Sequence, residues 1–107
     1  RYIVNLTPEA TFQNVETKSP LFKEWKSLAE TDSHAKAMTT KYQHRPAIEL
    51  YDVKNDPYCM KNLAEDAKQA STISRLDKEL KRWMKDCGDE GQPTEMRAFE
   101  HMPGKRK

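Results

Sequence analysis

Apolar and polar positions change period several times along the chain, and each change predicts an element. The opening run RYIVNL is rich in β-branched and aromatic residues and predicts a strand over residues 2–6, which Pro8 stops. A polar connection follows, with Phe12 and Val15 as its expected apolar anchors. In SPLFKEWKSLAE the period becomes helical. Ser19 stands at the cap and Pro20 at the first helical position, where a missing N–H costs nothing, and Leu21, Trp25, Leu28 and Ala29 share one face. TDSHAKAMTTKYQ predicts a second short helix, capped by Asp32 or Ser33, on a poorer pattern. AIELYDV then alternates, Ile48 and Leu50 against Glu49 and Tyr51, as a half-buried strand does.

KNDP turns the chain. Asn55 and Asp56 can close side-chain-to-backbone bonds, Pro57 sets φ, and Asn62 is the expected left-handed residue of the following loop. Asp66 with Gln69 three residues on reads as a capping box. Ala70, Ile73, Leu76, Leu80, Trp83 and Met84 follow a helical stripe. Lys78, Lys81, Arg82 and Lys85 crowd its C-terminal half, where the macrodipole favours cations, and Gly88 ends it. The helix is expected over residues 67–86. From Asp89 the chain carries Gly91, Pro93, Pro103 and Gly104 and little pattern. The expected organisation is one domain over residues 1–90 and an irregular basic tail over 91–107. The expected fold is α+β: a small antiparallel sheet packed by a long C-terminal helix, with a short helical insert.

Composition narrows this picture. Of 107 residues, 36% are hydrophobic and 34% charged, so a thin core is expected: either one amphipathic face covers a small sheet, or the domain leans on a larger body. The chain opens on Arg1 with no Met and no leader pattern, which predicts a piece cut from a longer polypeptide. No apolar stretch approaches the roughly 20 residues of a membrane span. The net charge of +2 comes from interspersed cations and anions, a mixed surface that points to neither nucleic acid nor membrane as a partner. Cys59 and Cys87 have no CxxC or His/Cys cluster around them, which argues against zinc. A bond between them would require the chain to double back along a helix about 27 Å long, so two free thiols are favoured and a disulfide stays open.

Candidate chemistry is sparse. His34, His44 and His101 do not pair at ligand spacing, and neither a Ser/His/Asp arrangement nor a Gly-rich phosphate loop is present, so no catalytic or metal-binding residue is assigned. KYQHR gathers two cations, a Tyr and a His before a strand. His44 and Arg45 are the candidates for an anion-binding rim, since a guanidinium suits sulfate or carboxylate. A structural loop in which Arg45 pairs with a nearby acid accounts for the same residues. Trp25 and Trp83 could form a ligand platform, but their helical spacing predicts core positions. Asn5-Leu6-Thr7 is a formal glycosylation sequon that reads as coincidence, with Pro8 directly after it.

ELYDVKNDPYCMKNLAED resembles a signature near the C-terminus of sulfatases, in the alkaline-phosphatase-like superfamily. Glu49, Leu50, Tyr51, Asp52, Asp56, Pro57, Asn62, Leu63 and Ala64 match the family's string, and Cys59 stands where the family usually has Glu. RYIVNL is similar to a family strand. SPLFKEWKSL and the helix ending LKRWMKDCGD are similar to segments of the heparan N-sulfatase (sulfamidase) branch. The resemblance implies a small C-terminal subdomain docked on a catalytic domain that lies outside this chain. It implies hydrolysis of sulfate esters or N-sulfamates by that domain, with calcium and a formylglycine made from a C/S-x-P-x-R motif. Neither Cys59 nor Cys87 sits in such a motif, so no cofactor is assigned to this chain. The expected partners are the enzyme's own catalytic domain and a sulfated glycan, with a homo-oligomer open. The expected location is periplasmic, extracellular or lysosomal. Asp52, Asp56, Pro57 and Asn62 are expected to form turns.

Two other readings compete. One is a stand-alone α+β interaction module that docks a partner on Trp25 or Trp83. The other is a polyanion-binding module built from KYQHR and the basic tail.

Overall fold

Two short strands, distant in sequence, pair antiparallel. β1 (Tyr2–Val4) runs against β2 (Ile48–Leu50), with Tyr2 opposite Leu50, Ile3 opposite Glu49 and Val4 opposite Ile48. Arg1 and Tyr51 extend the ladder by exchanging both backbone bonds, at 2.7 and 2.9 Å. The structure is a computed structural model that describes residues 1–104; residues 105–107, the end of the expected basic tail, lie outside the described residues. The fold is small α+β: two antiparallel strands and four helices among the described residues. The chain divides into two compact units, one of Arg1–Leu6 with the chain from Ile48 on, the other Thr7–Ala47.

The unit Thr7–Ala47 is helical and sits between the strands in sequence. Ser19 caps α1 (Pro20–Leu28), its hydroxyl accepting from the Phe22 N–H at 3.2 Å, with Pro20 at the first turn as predicted. Asp32 caps α2 (Ser33–Gln43), accepting from Ala35 N–H at 2.8 Å. The buried residue of α1 is Phe22, whose ring packs against Trp25 and Tyr42 with centroids 6.2 and 5.6 Å away. Leu21, Trp25 and Leu28, expected to face inward, are each about half exposed. A short helix with one helical neighbour buries only the row that meets it, and here that row runs through Phe22. Phe12 does anchor the connection, edge-on to Tyr42 at 5.8 Å. Val15 does not: it is 83% exposed, at the start of a 3-10 turn (Glu16–Lys18).

In the other unit, α3 (Ala70–Cys87) packs on β1. Residues 67–69, expected as its first turn, form a 3-10 turn whose cap is Asp66; its carboxylate accepts from Lys68 N–H at 3.0 Å. The Asp66 N–H goes to the Leu63 carbonyl, so it is that carbonyl, and not Gln69, that satisfies this donor. Gly88 ends α3 as predicted, at φ 73°. Its N–H reaches Lys85 O and that of Asp89 reaches Met84 O, the two bonds of a Schellman motif. Ile73, Leu76, Leu80 and Met84 are half-buried, while Trp83 is 61% exposed. Beyond Gly91, where the sequence shows little pattern, α4 (Gln92–Met96) and a 3-10 turn (Ala98–His101) form. The buried apolar side chains among the described residues are Phe22 in one unit and Leu50 and Tyr51 in the other, so each has the thin core that composition requires.

Candidate functional site

The segment from Glu49 to Leu63 combines a buried carboxyl group with a loop pinned by side chains. Glu49 is only 1% exposed. The strand alternation had placed Glu49 and Tyr51 on the polar face, with Ile48 and Leu50 inward. Instead Glu49, Leu50 and Tyr51 are all buried and Ile48 is partly exposed. Burying a carboxyl group is costly unless its oxygens find donors. Here Tyr51 Oη donates to Glu49 Oε1 at 2.5 Å and Asn5 Nδ2 donates to Oε2 at 2.8 Å. Asn5 is the residue that sequence reading missed. Its amide, formally the acceptor of a sequon, is committed to this carboxyl group.

Asp52 opens the loop. Its carboxylate accepts from the Asn55 side chain at 2.7 Å and from the N–H groups of Lys54 and Asn55 at 3.2 and 3.3 Å. The Asn55 side-chain bond, followed by its backbone bond, holds Asp52 below the usual carboxylate range. Asp56 spans the next turn, accepting from Met60 and Lys61 N–H, both at 2.9 Å. Pro57, directly after it, is exposed. The non-glycine residue in the left-handed region is Cys59, at φ 53°, and not Asn62 as predicted. Asn62 acts through its side chain. Oδ1 accepts from Leu50 N–H at 2.9 Å and Ala64 N–H at 3.0 Å, and Nδ2 donates to Ile48 O at 3.2 Å. The amide thus pairs with the free edge of β2 as a third strand would, and Leu63 N–H continues the pairing to Leu50 O at 2.8 Å.

The rim candidates lie in the other unit, at the end of α2. His44 is the exposed C-cap, its N–H bonded to Thr40 O at 2.8 Å. Arg45 is half-buried and donates from Nη1 to Lys41 O at 3.1 Å, a bond that ties it to the last turn of its own helix.

Cys59 and Cys87 are not joined in a disulfide, the first being half-buried and the second exposed. Among the described residues no three His, Cys, Asp or Glu side chains gather to hold a metal. No helix among them is long and apolar enough to cross a membrane. A further polar contact ties α3 to the sheet: Tyr2 Oη donates to Asp77 Oδ1 at 3.0 Å, and Lys81 Nζ meets Asp77 Oδ2 at 2.5 Å. Trp25 and Trp83, predicted as core, are 50% and 61% exposed, each in its own unit.

No protein-family model matches the chain. Over 99 residues it is 31% identical to an ulvan-active sulfatase of Formosa agariphila. The match covers 89% of this chain and 17% of that protein. The similarity supports a sulfatase relationship for the chain, which corresponds to a small part of the relative's length.

Proposed function

We propose that the chain is the C-terminal subdomain of a sulfatase, catalytically silent by itself and structural in role. The observation that carries this is the match of 89% of the chain to 17% of a sulfatase. The string from Glu49 to Ala64 supports it: the matching residues are those that bury a carboxyl group, close two turns and pair with the edge of β2. The half-exposed apolar side chains and the thin core are what a domain resting on a larger body requires. In this reading the catalytic domain is the chain's main partner, and calcium and formylglycine belong to that domain. The substrate is a sulfated glycan, as for a relative active on ulvan. The segment SPLFKEWKSL supports the heparan N-sulfatase branch, and His44 and Arg45 supply the cleft rim. The location is periplasmic, extracellular or lysosomal.

The test uses the whole reading frame that contains this chain. It is expected to encode a C/S-x-P-x-R motif upstream of Arg1, and its product to release sulfate from a sulfated polysaccharide. Deleting this chain is expected to abolish soluble, active enzyme. A continuous frame without the motif, or full activity after the deletion, overturns the proposal. The isolated 107 residues are expected to bind a hydrophobic dye and to melt near ambient temperature. A cooperative melt far above that, without dye binding, favours a stand-alone interaction module.

A further inference from the structure

The solvent side of α3 carries a charge distribution that the structural role does not explain. At about 100° per residue, Lys81, Ser74, Lys85, Lys78, Ser71, Arg82 and Arg75 occupy one continuous arc, about a third of the helix circumference. All seven are exposed. The arc holds five cations, two hydroxyls and no acid. The acids of α3 lie outside it: Asp77 bonds Tyr2 and Lys81, while Glu79 and Asp86 follow on the far side of Arg75. Arg82 meets Glu79 at 3.5 Å across exposed positions, a pair worth little. Among the described residues Arg75, Lys78 and Lys85 have no ion pair.

Arg75, Lys78, Arg82 and Lys85 recur at spacings of three and four, so they line up along the helix with rises of about 4.5–6 Å between neighbours. A ridge of this kind fits a linear chain of fixed negative charges. It has no aromatic ring within the arc, so it lacks the stacking platform that single-stranded nucleic acid uses. The apolar face of the same helix packs on β1, so it is not available for burial in a lipid surface.

We propose that this arc is a binding surface for a linear sulfated glycan, holding the polymer by its sulfates apart from the site of hydrolysis. The choice of glycan rests on the sulfatase reading; the ridge itself rests on the charge pattern. Serine hydroxyls at the N-terminal end and guanidinium forks within the row give sulfate oxygens directed donors as well as charge.

The experiment measures binding of the 107-residue chain, held well below its melting temperature with its helical circular dichroism intact, to dextran sulfate across a salt series, with neutral dextran as control. A ridge variant carries Arg75→Gln, Lys78→Gln, Arg82→Gln and Lys85→Gln, changes that keep helix propensity. A matched variant carries Lys18→Gln, Lys23→Gln, Lys36→Gln and Lys54→Gln. The ridge variant is expected to bind about tenfold or more weakly, with a salt slope smaller by about 3 for four cations. The matched variant is expected to lose far less. In the unmodified chain, amide shift changes on adding a sulfated oligosaccharide are expected to concentrate between Ser71 and Lys85. Equal binding by ridge variant and unmodified chain, or shifts elsewhere, overturns the proposal. So does binding to single-stranded DNA or to anionic phospholipid vesicles that matches dextran sulfate and falls equally in the ridge variant. An upstream frame without C/S-x-P-x-R removes the enzyme and leaves these outcomes unchanged. Unaltered binding by the ridge variant removes the ridge and leaves the enzyme.

Discussion

The Tyr51 hydroxyl donates to Glu49 Oε1 at 2.5 Å, and the two side chains are 3% and 1% exposed. They lie two residues apart, Tyr51 directly after the chain's second strand, and Asn5 gives the carboxyl group a further donor from just beyond the first. Removing one partner from such a cluster leaves the others buried and unsatisfied. Tyr51→Phe is expected to cost about 1–3 kcal/mol, and Glu49→Ala, which also opens a cavity, about 2–5 kcal/mol. Urea midpoints read both. The double variant is expected to lose less than the sum. Strict additivity would mean that the pair is not coupled.

Asn62 replaces a missing strand with one side chain, so the two ends of its amide are separable. Asn62→Asp keeps the acceptor for Leu50 and Ala64 N–H and loses the donor to Ile48 O. Asn62→Ala loses everything. The alanine variant is expected to cost about 1–3 kcal/mol and the aspartate variant less. Hydrogen exchange at the Leu50 amide is expected to accelerate strongly in the first and weakly in the second. Equal acceleration in both would assign the protection to the donor end of the amide, which both variants lose.

The link between α3 and β1 gives stability a pH dependence at both ends. The Lys81 bond, followed by the Tyr2 bond, holds Asp77 below the usual carboxylate range. Its folded form therefore binds a proton less tightly than the unfolded chain. That contribution is present above the ordinary value of about 3.9 and disappears as pH falls through it to the folded value. Burial, followed by the bond to Asp77, raises Tyr2. Its contribution is complete below about 10 and disappears as pH rises through the folded value. Melting temperature against pH is expected to show both limbs. Tyr2→Phe should remove the alkaline limb, and Asp77→Asn should flatten both. An alkaline limb unchanged in Tyr2→Phe would place its origin elsewhere.

Two left-handed residues should respond in opposite directions. Gly88 sits at φ 73° with nothing near its missing Cβ, so Gly88→Ala has a backbone cost alone, about 1 kcal/mol. Cys59 holds φ 53° with a side chain that disfavours it, so Cys59→Gly is expected to be neutral or to stabilise by up to about 1 kcal/mol. Thermal melts of the two single variants test the pair. A destabilised Cys59→Gly would show that contacts of the thiol outweigh the strain.

The elements that a reader of the sequence finds are those settled by neighbours. Ser19, Asp32 and Asp66 cap and Gly88 closes a helix through bonds that span two to five residues, and Pro20 opens one by its fixed φ. The helical stripe of α3 is equally local, because eighteen residues give the period room to show. The inward face of β2 was not legible. Three residues hold too little alternation, and one of the donors that let Glu49 be buried is Asn5, 44 positions earlier. Asn62 was seen as a turn residue, yet its partners lie 12 and 14 positions back, on a strand edge that exists only after folding. Trp25 and Trp83 match a core pattern and are half exposed or more, because a helical period marks a face without naming what covers it. By itself, then, the sequence determined the caps of the first two helices, the end of α3 and the α+β class. Tertiary structure decided which polar groups could be buried and which apolar ones stayed outside, since burial depends on partners that only the folded chain brings together.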